Sequence, residues 1–213
     1  QYNSEQIIEL MEQGSTRGVK VMAFPELCLT AYTCSDLFLQ ESLLREAKKE
    51  LKRILQASKS KDMILFVGMP WMHKGKLYNV AAVLNRGRIL GIVPKKHLPN
   101  YSEFYELRHF NPGMEKVEMT DWEGVQVPMG MNLLFACREM PEFVLGVEIC
   151  EDLWAPVPPS CSHALAGATV VANLSASDET VGKAAYRREL VAGQSARLLC
   201  GYVYADAGHG EST

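Results

Sequence analysis

The sequence Phe143-Val-Leu-Gly-Val-Glu-Ile-Cys-Glu-Asp-Leu-Trp154 carries more structural information than any other stretch of the chain. Its first part, 143–149, is largely apolar and rich in Val and Ile, which predicts a buried strand. Cys150 follows this strand directly, and Glu151 and Asp152 begin a turn. Because reacting groups in α/β proteins collect at the carboxyl ends of strands, Cys150 is a candidate nucleophile. The alternative is a small buried hydrophobe, which is the role of most free cysteines.

Length and composition limit the class of protein. A chain of 213 residues is long enough for one domain with a sizeable core, or for a domain and a half. Apolar residues make up 47% and charged residues 22%, as in ordinary globular proteins. The net charge of −3 gives no electrostatic footprint for nucleic acid or an anionic membrane, and no apolar run is long enough to span a bilayer. We therefore expect neither nucleic acid nor membrane as a partner.

The cysteines are scattered through the chain without CxxC spacing, which favours reduced thiols and a cytoplasmic location over a disulfide framework. Cys161-Ser-His163 supplies two metal-ligand types, but no second pair completes a zinc site, so we predict no metal. The six cysteines are Cys28, Cys34, Cys137, Cys150, Cys161 and Cys200.

Hydrophobic periodicity predicts a mixture of helices and strands, and hence an α/β class. A polar loop at 94–113 is long enough to suggest a functional role. The expected helices are 3–14, ending at Gly14, then 37–58, 160–167 and 182–199. The expected strands are 19–24, 63–70, a hairpin of 77–84 and 88–93, then 133–137, 143–149, 169–174 and 201–205.

Three chemically active side chains follow directly after apolar strands: Glu26, Lys95 and Cys150. A carboxylate, an ammonium and a thiol together suit acyl transfer, because the carboxylate can take the thiol proton while the ammonium stabilises a developing oxyanion. The alternative role of Glu26 is to cap a turn, and that of Lys95 is a solvated charge, as for most lysines. No histidine stands close to Cys150 in sequence, which weakens a papain-like Cys-His alternative.

Three segments around these residues resemble the signature segments of the carbon–nitrogen hydrolase (nitrilase) superfamily: Phe24-Pro-Glu-Leu27, Val93-Pro-Lys-Lys-His-Leu-Pro99 and Glu148-Ile-Cys-Glu-Asp-Leu-Trp154. Longer stretches are similar to the glutaminase domains of glutamine-dependent NAD synthetases. The resemblance covers nearly the whole chain in six ordered segments. The longer stretches are 98–108, 173–183 and 202–212.

The resemblance implies a four-layer α-β-β-α sandwich, incomplete at both ends of 1–213. It implies Glu26 as general base, Lys95 as oxyanion stabiliser and Cys150 as nucleophile. Glu106 matches the second glutamate of the family, which holds the lysine in place. Lys96 occupies a variable position beside the catalytic lysine.

Glutamine recognition is implied for five further residues, with the backbone N–H of Glu151 completing an oxyanion hole. An acidic group suits the α-ammonium of the substrate, and a hydroxyl and a cation suit its α-carboxylate. The resemblance implies that Lys183 stands at a position open to Arg, and Lys there replaces a bidentate clamp by a point charge. Surface or packing roles are the alternative. The five are Tyr32, Tyr101, Glu151, Ser177 and Lys183.

The implied activity is hydrolysis of glutamine to glutamate and ammonia for ATP-dependent conversion of nicotinic acid adenine dinucleotide to NAD. The chain holds no Ser-Gly-Gly-rich pyrophosphate loop, so we expect no cofactor here and place ATP and Mg²⁺ in a synthetase domain of the same polypeptide. A homo-oligomer is expected. The alternatives are a free-standing amidase acting on another amide or carbamoyl group, and a non-catalytic scaffold.

Overall fold

The computed structural model describes residues 1–208 and shows two β-sheets facing each other, with helices on both outer faces. The part of the quoted segment 202–212 that follows residue 208 lies outside the described residues. The helices are α1 (Tyr2–Thr16), α2 (Glu41–Ser58), α3 (Pro159–Leu165) and α4 (Lys183–Leu198). The strands are β1 (Val21–Ala23), β2 (Ile64–His73), β3 (Lys76–Asn85), β4 (Arg88–Pro94), β5 (Glu118–Trp122), β6 (Val125–Met129), β7 (Phe135–Ala136), β8 (Val144–Ile149), β9 (Val170–Leu174) and β10 (Gly201–Ala205).

The first sheet has the order β1-β2-β3-β4-β6-β5. Its central strands β2, β3 and β4 form an antiparallel meander, and β1 runs parallel to β2. Helices α1 and α2 cover the outer face, where Leu51 and Ile54 pack into one fully buried cluster with Leu65 and Trp71. The apolar side of α2 therefore packs against this face of the sheet, and its Lys- and Glu-rich side faces solvent.

The second sheet has the order β10-β9-β8-β7, in which β8, β9 and β10 are parallel. Helices α3 and α4 contact each other and lie against β8 and β10. Between the sheets, Phe66 and Val83 from the first pack with Val147 and Leu174 from the second. The predicted four-layer sandwich is thus confirmed. Ile149 pairs with Leu174, so the ends of β8 and β9 lie side by side.

Several elements differ from the sequence prediction. The helix expected at 37–58 begins at Glu41, after a separate 3₁₀ helix at Tyr32–Leu39, and the strand expected at 63–70 extends to His73. Helix α1 continues past Gly14 to Thr16, and Gly14 packs against the side chain of Met22 within the helix. The β5–β6 hairpin was not predicted, since its charged residues and Pro128 weaken the alternating pattern. Its signal was the Glu-Gly pair at 123–124, which forms the turn with positive φ at both residues.

None of the helices in residues 1–208 combines the length and the hydropathy needed to cross a bilayer.

Candidate active site

Lys95 lies immediately after β4, and its ammonium is completely buried between two carboxylates. Nζ is 2.7 Å from Glu26 Oε1 and 2.6 Å from Glu106 Oε1. Burial opposes the charge, but the attraction of Glu106 and Glu26 holds the pKa of Lys95 well above its ordinary value. The neighbouring Lys96 is only half-buried and takes no part in this cluster, so the geometry distinguishes the two lysines.

Glu26 follows β1 and is held by donors on both carboxylate oxygens. The side-chain amide of Asn79 donates to Oε1 at 2.6 Å, and the backbone N–H of Ala176 donates to Oε2 at 3.1 Å. Gly68 on β2 allows the backbone beside Glu26 to pack closely against this strand, because a Cβ at residue 68 would lie 2.4 Å from the backbone nitrogen of Leu27. Asn79 was not predicted, although an amide inside the apolar run 77–84 was a usable signal.

Glu106 comes from the long loop and reaches Lys95 from the other side. Its Oε1 also accepts a hydrogen bond from the Tyr32 hydroxyl at 2.8 Å, and the Asn79 amide approaches Oε2 at 3.4 Å. Burial raises the pKa of Glu106 to about 7, against the opposing pull of Lys95. The loop 94–113 therefore carries a buried residue into the cluster, in keeping with the functional role predicted for it.

Cys150 stands at the carboxyl end of β8, where a short 3₁₀ helix, Cys150–Leu153, begins. Its backbone adopts φ of 46°, a left-handed conformation that is strained for a residue with a Cβ. Its N–H donates to Asn173 Oδ1 at 3.0 Å, Ser175 Oγ lies 3.3 Å from its sulfur, and the backbone of Ala176 also hydrogen-bonds the thiol. Burial and the charge of Glu26 raise the pKa of the thiol, so the resting sulfur is protonated and needs a base.

Asp152 joins the turn that carries Cys150 to the loop that follows Lys95. Its carboxylate accepts the backbone N–H groups of Ile149 at 3.0 Å, Lys96 at 3.2 Å and His97 at 2.8 Å. Burial raises the pKa of Asp152 to about 7. The sequence analysis gave Asp152 no role, yet it fixes the separation between the segments that carry Cys150 and Lys95.

Three of the five residues predicted to bind substrate lie around the ring of Phe104, and a fourth, Glu151, joins them through Tyr101. The rings of Tyr32 and Tyr101 lie 6.4 Å and 5.8 Å from it, centroid to centroid. The Lys183 ammonium lies 5.9 Å from the same ring. The Tyr101 hydroxyl contacts both carboxylate oxygens of Glu151 at 3.0 Å. Phe104 was not predicted, and as one aromatic residue in a polar loop it gave little signal.

Lys183 and Ser177 also contact residues outside this group. Lys183 forms an ion pair with Asp178 and lies 5.3 Å from the Trp154 ring. Ser177, the fifth predicted residue, uses its backbone N–H to bind Asp206 Oδ1 at 2.9 Å. The ring of Phe104 with Tyr32, Tyr101 and Lys183 forms a surface that we call the Phe104 wall, to which Tyr101 also holds the Glu151 carboxylate. The backbone of Ser177 is bound to Asp206 instead.

Comparison with known proteins agrees with this geometry. The profile of the family described as Carbon-nitrogen hydrolase matches residues 1–206. The chain is 45% identical to glutamine-dependent NAD(+) synthetase of Mycobacterium tuberculosis over 211 residues, which cover 99% of this chain and 31% of that protein. The corresponding protein of Aquifex aeolicus is 33% identical over 96% of this chain and 32% of its own length. The chain thus spans about a third of the curated relatives that it matches.

Solved structures share the fold. A glutamine-dependent NAD(+) synthetase from Cytophaga hutchinsonii superposes with a TM-score of 0.85 at 32% identity, over 96% of this chain and 33% of that one. An amidase from Nesterenkonia sp. superposes with a TM-score of 0.73 at 18% identity, over 96% and 69% of the two chains, and shares the fold. The sequence match, the sandwich and the buried cluster lead to one conclusion: this chain belongs to the carbon–nitrogen hydrolase family.

Proposed function

We propose that this chain hydrolyses the side-chain amide of glutamine through a thioester on Cys150 and supplies the ammonia to NAD synthesis. The observation that carries the proposal is the buried cluster of Glu26, Lys95 and Glu106 beside the buried thiol of Cys150. The two relatives named above are both glutamine-dependent NAD(+) synthetases, and their names support glutamine as the substrate and NAD synthesis as the use of the ammonia.

The first half of the reaction makes the thioester. Glu26 takes the proton of the Cys150 thiol, and the thiolate attacks the amide carbon of glutamine. The Lys95 ammonium and the backbone N–H of Glu151 stabilise the negative oxygen of the tetrahedral intermediate. The C–N bond then breaks, and the nitrogen takes the proton from Glu26 and leaves as ammonia.

The second half releases glutamate. A water molecule gives a proton to Glu26 and its oxygen attacks the thioester carbon, again with Lys95 beside the oxyanion. The C–S bond breaks, its electron pair remains on sulfur, and the proton returns from Glu26 to Cys150. Glu106 keeps Lys95 in place throughout, because its carboxylate is the second anchor of the ammonium.

Substrate recognition is assigned to the Phe104 wall. The Glu151 carboxylate, which the Tyr101 hydroxyl holds, suits the α-ammonium of glutamine. Lys183 and Ser177 suit the α-carboxylate, which would compete with Asp178 for the Lys183 ammonium. Tyr32 would border the same space through its hydrogen bond to Glu106.

The proposal includes partners outside these residues. A synthetase domain of the same polypeptide would bind ATP and Mg²⁺ and use the ammonia, and the assembly would be a homo-oligomer. The six free thiols fit the reducing cytoplasm in which we place the protein.

The test is Cys150→Ala in the complete natural polypeptide. We expect no NAD formation with glutamine as nitrogen donor and near wild-type formation with free ammonium, because ammonia can reach the synthetase site from solvent. Cys161→Ala, at a half-buried thiol on α3, is the matched control and should support both reactions. Glutamine-dependent synthesis by Cys150→Ala would contradict the thioester. Failure of the unmutated protein with both donors would favour an amidase for another amide or carbamoyl substrate.

A further inference from the structure

A chain of two hydroxyl groups ends on the sulfur of Cys150, and the mechanism above does not use it. Ser175 follows β9 directly, and its Oγ lies 3.3 Å from Cys150 Sγ. The same Oγ lies 2.7 Å from the hydroxyl of Tyr204, which comes from the neighbouring strand β10. Two adjacent parallel strands thus deliver the components of one hydrogen-bonded chain.

The direction of this chain follows from counting protons. A thiolate at Cys150 can only accept a hydrogen bond, so in that state the single proton of the Ser175 hydroxyl is directed at the sulfur. Ser175 must therefore accept the hydrogen bond that it shares with Tyr204, which makes Tyr204 the donor. Burial and the charge of Cys150 raise the pKa of Tyr204, so its hydroxyl keeps the proton that it donates. The order of donation is Tyr204 to Ser175 to Cys150.

The backbone holds Ser175 rigidly in this position. Its side chain is completely buried, its N–H donates to Ala205 O at 2.8 Å, and its carbonyl accepts the N–H groups of Glu26 at 3.3 Å and Ala207 at 3.1 Å. Ser175 is therefore fixed to the general base and to β10 as well as to the nucleophile. Its hydroxyl cannot turn toward solvent for another partner.

We propose that Ser175 is a further catalytic residue, which stabilises negative charge on the Cys150 sulfur, and that Tyr204 is a positioning residue that acts through Ser175. This inference rests on the proposed thioester chemistry. The sulfur carries charge twice in that reaction: when its proton moves to Glu26, and when the electron pair of the C–S bond returns to it. At both points an aligned hydroxyl donor strengthens its bond to sulfur, and the second hydroxyl polarises the first.

The test is the rate at which iodoacetamide alkylates Cys150 at pH 8 in the complete polypeptide, followed by peptide mapping. In Ser175→Ala the rate should fall about tenfold or more, because a hydrogen bond to the charged sulfur is lost. In Tyr204→Phe it should fall by about threefold. The double variant should match Ser175→Ala alone, because Tyr204 has no route to sulfur without Ser175.

Several controls keep this test specific. Alkylation of Cys161 in the same sample is the internal reference, and Ser58→Ala removes an equally buried serine hydroxyl, at the end of α2, without changing Cys150 labelling. If Ser175→Ala does not fold, Tyr204→Phe still tests the chain. The reagent needs no glutamine, so the result stands whatever substrate the enzyme takes.

Two results would overturn the inference. Wild-type labelling of Cys150 in Ser175→Ala would show that the hydroxyl does not stabilise the thiolate. A double variant that falls by the product of the two single effects would show that Tyr204 does not act through Ser175.

Discussion

Replacing Lys95 by Met removes the cation from the centre of the buried cluster and leaves its shape nearly unchanged. Glu26 and Glu106 are 2% and 4% exposed, so the variant holds two carboxylates in the protein interior without a counter-charge. Removing one partner of a buried ion pair costs about 3–5 kcal/mol. For a domain of this size, that corresponds to a fall in melting temperature of roughly 6–20 °C. Glutaminase activity should fall at least a hundredfold, as for loss of an oxyanion donor.

The pH dependence of this destabilisation follows from Glu106, whose pKa is already raised to about 7 in the folded protein by burial. A folded pKa above the unfolded value means that the folded state binds the extra proton, so stability falls as pH rises through this range. Without Lys95 the pKa of Glu106 rises further and the fall becomes steeper. The stability gap between Lys95→Met and the parent should therefore be largest at pH 8 and smaller at pH 5.

Thermal and urea unfolding across pH 5–8 would measure this gap, with Lys96→Met as the matched control. Lys96 is the next residue, half-buried and outside the cluster, so its replacement should change stability by less than about 1 kcal/mol. Equal effects of the two substitutions at pH 8, or a Lys95→Met effect that does not depend on pH, would refute this reasoning.

Two further predictions concern the same site. Protonation of Glu106 near its pKa of about 7 weakens its attraction for Lys95, so kcat/KM for glutamine should fall below that pH. Glu106→Gln should be less active, and its kcat/KM should lack this fall. An unchanged pH profile in the variant would contradict the role of Glu106. Lys183→Met should raise KM for glutamine about ten- to a hundredfold with little change in kcat, while Lys183→Arg retains most affinity; a loss confined to kcat would exclude the binding role.

Much of the sandwich could be predicted from sequence, because strands such as β8 and β9 are short apolar runs with clear boundaries. The hairpin β5–β6 was missed, since its charged residues and Pro128 weaken the alternating pattern and its local signal is confined to the Glu-Gly turn at 123–124. Helix α1 shows the opposite error: Gly14 was taken as a helix end although it serves a close contact with Met22. Local signals fix the type of an element better than its limits.

The residues of the candidate site also differ in whether the sequence could predict them. Glu26, Lys95 and Cys150 were accessible because each follows an apolar strand, and Glu106 was accessible only through resemblance. Asp152 and Ser175 gave no signal of their own, because their roles depend on which backbone groups and which sulfur they meet after folding. Hydrogen-bond partners distant in sequence are a property of the tertiary structure, so composition and spacing do not identify them.

The left-handed backbone conformation at Cys150 lowers the stability of the fold at the residue that we propose as the nucleophile. A residue with a Cβ is strained there by about 1–2 kcal/mol, and glycine is not. Glycine at this position would relieve that strain and would remove the thiol that we propose as the nucleophile. Selection for a durable protein and selection for a working one oppose each other at this position, and engineered stabilisation of this domain should leave residue 150 untouched.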